Sequence, residues 1–245
     1  MPEIVANSVM PARREPIEFR AADGIKLVGE LALPLDRDPV ATLICLHPLP
    51  THGGYMDSHV FRKMAWRLPA LVDLAILRFN FRGVTSARGT SEGEFTAGAG
   101  EGLDARAAIE YAVERGLPNI HVVGWSFGTD VTLRYANIEP VQGGILLSPP
   151  LRWTDAEDLY SWATSGRPLT AVVPEFDEYL VPDEAVARFS LVPQALVLGI
   201  PGAKHLWVGE KNVVAAMNAV VDAVDPDKSP LPTHWDGPME RWSDL

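Results

Sequence analysis

Along most of the chain, short unbroken apolar runs alternate with stretches whose apolar residues recur every three or four positions. "VATLICLH" (40–47) and "DLAILRFNF" (73–81) are too uniformly apolar to have a wet face, so they predict strands buried on both sides. "NIHVVG" (119–124), "GGILLSP" (143–149), "PLTAVVP" (168–174) and "QALVLGI" (194–200) repeat the pattern. Helical spacing falls between these runs, over 57–68, 126–136, 155–162 and 183–189, and after the last of them over 213–224. The strongest predicted helix is 101–115, where Leu103, Ala107, Ala108, Tyr111 and Ala112 form one stripe and Gly116 closes it. Near the start, "PIEFRA" and "IKLVGELALP" flank the turn "ADG" and predict a β-hairpin. Buried strands alternating with helices imply an α/β fold, a mostly parallel sheet with helices on both faces. Ligands in such sheets gather at the carboxyl ends of the strands, so the loops just after each strand are the places to look for chemistry.

Composition narrows the setting. A chain of 245 residues, 47 % hydrophobic, suits one globular domain, taken as residues 1–224. Residues 225–245, "DPDKSPLPTHWDGPMERWSDL", read as a proline-rich tail whose tryptophans favour packing over the domain surface. No window approaches the roughly 18 consecutive apolar residues of a membrane span, and the first residues lack the basic-then-apolar pattern of a signal peptide. A cytoplasmic protein is the expectation. The net charge of −11 disfavours nucleic acid or an anionic membrane as partner. The single cysteine, Cys45, excludes an internal disulfide framework and any multi-cysteine metal site.

One stretch carries most of the chemistry. In "HVVGWSFGTDVTLRYA" (121–136) a strand pattern breaks at Gly124-Trp125-Ser126-Phe127-Gly128 and a helical pattern follows. A nucleophile elbow needs this arrangement: a serine held in a sharp turn so that its hydroxyl projects, with glycines where the chain pinches. A serine hydroxyl needs a base, and the base an orienting acid, in the chain order serine, acid, histidine. Only His205 and His234 follow Ser126, and His205 lies in the loop after "QALVLGI", which makes it the candidate base. The acid belongs in "PEFDEYLVPDE", where Asp177 is the choice by loop position, with Glu178 and Asp183 as rivals. An oxyanion needs two backbone donors. Phe127, after the serine, supplies one; Leu49, the non-proline residue in "HPLP", supplies the other. His47, His52, Asp57 and His59 match no metal-ligand spacing, so no metal is expected.

Four segments together, "LHPLPTHGGYMDS", "LRFNFRGVTSARGTSEGEF", "VVGWSFGT" and "IPGAKHLW", resemble the α/β-hydrolase superfamily. More narrowly they resemble its lidless bacterial branch of dienelactone-hydrolase-like enzymes and small carboxylesterases. The resemblance implies a catalytic Ser126, Asp177 and His205 and no cofactor. Leu49 replaces a second histidine of the family's His-Pro-His-Pro pattern, and Pro174 stands where a glycine often opens the acid loop. The elbow holds serine rather than the cysteine usual in dienelactone hydrolases, and Cys45 falls inside a predicted buried strand as inert core. A dienelactone substrate is therefore not implied.

Residues 151–167 leave room for one helix and a loop, not a cap domain, so a shallow site for a small or medium ester is expected. Tyr55, Trp125, Tyr179 and Trp207, with Phe127 and Trp153, flank the site loops as candidate pocket walls, although aromatics are as often plain core. The expected reaction is ester hydrolysis through an acyl-enzyme. The same groups also suit thioester cleavage, acyl transfer or perhydrolysis, and a silent binding scaffold is the contrasting reading. A homo-oligomer is left open.

Overall fold

A computed structural model describes residues 1–241; the last four residues of the predicted tail, 242–245, lie outside the described residues. The predicted hairpin forms as β1 (Arg13–Arg20) and β2 (Lys26–Leu33), paired antiparallel. Then come β3 (Ala41–Leu46), α1 (His59–Val72), β4 (Leu74–Phe79), a small hairpin of β5 (Thr85–Ser86) and β6 (Gly89–Thr90), and α2 (Ala99–Glu114). The second half alternates without interruption: β7 (Ile120–Trp125), α3 (Phe127–Tyr135), β8 (Gly143–Leu147), α4 (Ala156–Ser165), β9 (Leu169–Phe176), α5 (Pro182–Phe189), β10 (Ala195–Lys204) and α6 (Glu210–Val224).

Eight strands make one sheet in the order β1-β2-β4-β3-β7-β8-β9-β10, parallel from β4 to β10. Alternation along each strand sends successive side chains to opposite faces. Leu43 and Cys45 of β3 join Phe61, Met64, Val220 and Val221 beneath α1 and α6. Ile44 and Leu46 of the same strand join Ala108, Ile109 and Val131 beneath α2 and α3. Helices α4 and α5 continue the second layer over β8 and β9, where Leu146, Ala171 and Val173 meet Leu159, Trp162 and Phe189. Both faces of the central strands are covered, which is why those strands read as unbroken apolar runs.

Two polar clusters lock the elements that carry site loops. Arg78 of β4 is buried against Glu30, its register partner on β2, and reaches Asp57 at 2.6 Å. Arg82 forks onto Asp104 of α2 and Asp23, which ties the "FRGVTSARGT" segment to α2 and to the turn between β1 and β2, while Asn80 Nδ2 donates to Ser86 Oγ of the small hairpin at 2.9 Å. Residues 225–241 lie along the domain: Leu231 is buried with the α1–α6 cluster, and single bridges join Glu3 to His234 and Val9 to Glu240. No helix among the described residues is long and apolar enough to cross a membrane.

Candidate active site

Four consecutive strands of the sheet each deliver their first following residue to one place. Ser126 follows β7, Ser148 follows β8, Asp177 follows β9 and His205 follows β10. Strands β9 and β10 run two and four residues further than the apolar pattern indicates, so Asp177 and His205 sit at the strand ends themselves rather than out in loops.

Ser126 has φ 53° and ψ −120°, a conformation costly for a residue with a Cβ and found where surrounding structure enforces it. The enforcement is visible in its flanking glycines. A Cβ on Gly128 would lie 1.9 Å from the Leu46 carbonyl oxygen, and one on Gly124 would lie 2.4 Å from the Gly128 carbonyl oxygen. The chain pinches here between β3 and β7, and only glycine fits on either side.

His205 Nε2 lies 2.8 Å from Ser126 Oγ. Its Nδ1 lies 2.9 and 3.0 Å from the two oxygens of Asp177, and both residues are buried. A carboxylate only accepts, so Nδ1 carries the proton and Nε2 is left to accept from the serine hydroxyl. The Asp177 carboxylate also accepts the backbone N–H of Tyr179 at 2.9 Å. Neither rival hydrogen-bonds the imidazole: Glu178 is nearby but exposed, and Asp183 lies in the first turn of α5, where an acid complements the helix dipole.

Two residues without a sequence signal hold the histidine. The His205 carbonyl accepts from Ser148 Oγ at 3.0 Å and from Trp125 Nε1 at 3.2 Å. Trp125 is thus a buried brace rather than a pocket wall, and Trp207 is fully buried in the α1–α6 core. Of the four residues expected to line the pocket, Tyr179 alone borders the serine's cleft, its ring 4.6 Å from that of His205. Tyr55 faces a neighbouring cleft with Pro50 and Phe95. Aromatic residues beside a site loop are as readily drawn into the core as into the pocket, and sequence position does not separate the two.

The cleft over Ser126 encloses about 430 Å³ and is walled by Leu49, Phe127, Pro150, Arg152, Trp153, Tyr179 and Leu206, among others. Phe127 opens α3, so its N–H has no intrahelical acceptor. The Leu49 N–H likewise makes no backbone hydrogen bond among the described residues. His47 sets this loop. Burial pushes its imidazole down to about 4, so the ring is neutral at pH 7. Its Nε2 accepts the Phe81 N–H at 3.0 Å, which places the proton on Nδ1, 2.7 Å from the Pro48 carbonyl oxygen. The Pro48–Leu49 peptide is held by its oxygen on one side, and a trans peptide directs its N–H to the other.

Among the described residues, one group of three offers ligand atoms within 4.8 Å of one another: Asp177, Glu178 and His205. Both ring nitrogens of that histidine are already engaged. His47, His52 and His59 belong to no such group among the described residues: His52 meets Thr51, and His59 meets the Trp207 carbonyl. Burial raises the Cys45 thiol to about 12, which keeps it protonated and unreactive inside β3.

Residues 43–244 match the family model described as the alpha/beta hydrolase family. The chain belongs to the alpha/beta hydrolase family. Its fold is similar to a lidless α/β serine hydrolase from Xanthomonas campestris, with 25 % identity and a TM-score of 0.71 over 92 % of this chain and all of that one. An α/β serine hydrolase homologue from Coxiella burnetii is 26 % identical, with a TM-score of 0.72 over 85 % of this chain and 96 % of that one. An esterase from Pyrococcus furiosus shares the fold at 20 % identity and a TM-score of 0.66, covering 84 % of this chain and 88 % of that one. An uncharacterized protein of Rickettsia prowazekii is 32 % identical over 117 residues, which span 46 % of each chain, about half of that relative's length. Between β8 and β9 the chain carries only α4 and short loops, which leaves no room there for a cap domain.

Proposed function

We propose that this protein is a hydrolase that cleaves carboxylic esters of small or medium size through an acyl-enzyme, with Ser126 as nucleophile, His205 as base and acid, and Asp177 as the orienting acid. The observation that carries the reading is the unbroken run of contacts from Ser126 Oγ through both nitrogens of one imidazole to a buried carboxylate.

His205 Nε2 takes the hydroxyl proton as Oγ attacks the ester carbonyl carbon. The imidazolium that forms faces the Asp177 carboxylate, which stabilises it without itself taking the proton. Negative charge develops on the former carbonyl oxygen and meets the Leu49 and Phe127 N–H groups. The tetrahedral species collapses, His205 returns its proton to the departing alcohol, and an acyl-Ser126 ester remains. Water activated by His205 repeats the sequence, releasing the acid and restoring the serine. Preorganised amides in a partly dry cleft supply the larger share of such rate enhancements.

The test is turnover of p-nitrophenyl esters of two to ten acyl carbons by wild type and Ser126→Ala. Turnover by wild type with an initial burst of one nitrophenol per chain, lost in the variant, supports the reading. Equal rates in the two proteins overturn it.

A further inference from the structure

Arg152 stands apart from most arginines in this acidic chain, which close on a carboxylate, as Arg67, Arg78 and Arg82 do. Among the described residues Arg152 makes no ion pair. Its guanidinium lies over the ring of Trp153, 4.9 Å from the centroid, and both residues border the cleft above Ser126. An arginine stacked in this way keeps its fork of donors free for a planar anion.

The backbone beneath Arg152 is built rather than loose. Leu151 is buried with φ 50°. Asp130, buried on α3, accepts the Trp153 N–H at 3.0 Å and the Thr154 hydroxyl at 2.6 Å. Trp153 then packs edge-on against Phe127, with ring centroids 5.3 Å apart, so the arginine is referenced to the residue beside the nucleophile. The other charged wall residue, Glu178, groups with Asp177 and His205 and makes no pair with Arg152. The cleft therefore presents a free cation on the β8 side and an acid on the side of the histidine.

We infer that Arg152 makes this cleft selective for esters that carry a carboxylate on the acyl chain, with the guanidinium holding the carboxylate while Ser126 attacks the ester carbon. The inference rests on the ester-hydrolase reading above. Charge-assisted pairing of a carboxylate with a stacked guanidinium at a half-open site corresponds to a preference of roughly tenfold.

Two substrates of one length test it: the mono-p-nitrophenyl ester of adipic acid, and the same compound with its free acid methylated. Wild type is expected to favour the free acid by about tenfold in kcat/KM, with the difference mostly in KM and shrinking in high salt. In Arg152→Ala the ratio between the two substrates falls to near one, in Arg152→Lys it is partly kept, and in Arg152→Glu it inverts. Arg152 is exposed, so these variants retain the wild-type melting temperature, which is measured alongside. Wild type that does not distinguish the two esters, or an Arg152→Ala ratio equal to wild type, overturns the inference while leaving the ester-hydrolase reading intact. Wild type that cleaves neither overturns that reading, and the inference with it.

Discussion

Ser126 Oγ and His205 Nε2 lie 2.8 Å apart although 79 residues separate them in the chain. Parallel strands β7 and β10, with β8 and β9 between them, bring them together, each residue being the first past its strand. The site therefore depends on sheet register at least as much as on local sequence.

The acid can be identified by substitution. Asp177→Asn leaves the shape of the site but takes away the acceptor that fixes the imidazole tautomer, and kcat should fall by about 10³–10⁴-fold with KM little changed. Glu178→Gln and Asp183→Asn should each stay within about tenfold of wild type, because neither carboxylate bonds His205. Steady-state kinetics on one neutral ester decide; the larger loss in either rival would move the assignment.

The brace on the histidine should matter more for rate than for binding. Ser148→Ala removes one of two donors to the His205 carbonyl, a neutral hydrogen bond worth about 1 kcal/mol. We expect kcat to drop by roughly tenfold with KM unchanged, and Trp125→Phe to behave similarly. Loss of kcat in neither variant would show that Asp177 alone orients the ring.

Stability should follow His47 as pH falls. Its folded pKa, about 4, lies below its unfolded value of 6.5, so between these limits the unfolded chain binds a proton that the folded chain refuses. The contribution is present above pH 6.5 and is lost as pH falls toward 4, amounting to about 3 kcal/mol. Urea titrations at pH 7.5 and 4.5 measure it. In His47→Gln the pH 7.5 stability should be lower and the decline toward pH 4.5 shallower; equal slopes in both proteins would place the effect on other groups.

Backbone crowding at the elbow gives a separate test. Gly128→Ala forces a methyl against the Leu46 carbonyl, and the loop must shift to admit it. We expect a loss of about 1–3 kcal/mol in thermal unfolding and a drop in kcat of at least tenfold. A variant as stable and active as wild type would mean the pinch relaxes freely.

Much of this was legible from the chain. Unbroken runs such as "VATLICLH" mark doubly covered strands, and Gly-Trp-Ser-Phe-Gly marks the corner, because both are local consequences of packing. The small β5–β6 hairpin was not legible, since two-residue strands carry no period to detect. Nor were the roles of Trp125 and Trp207, which face inward for reasons set by the sheet and α6 rather than by their neighbours in sequence. Ser148 and Asp130 were invisible for the same reason: each acts through a loop more than 20 residues away along the chain. The choice of Asp177 over Glu178 turns on which of two adjacent residues faces the imidazole, and strand register decides that.

The most direct test of the central claim is fluorophosphonate labelling of the whole protein, with the adduct located by mass spectrometry in wild type, Ser126→Ala and His205→Ala. The result expected is one adduct per chain on Ser126, absent in Ser126→Ala and slowed at least a thousandfold in His205→Ala. Folded wild type that takes up no probe, or carries it on another residue, would contradict an activated serine at this corner.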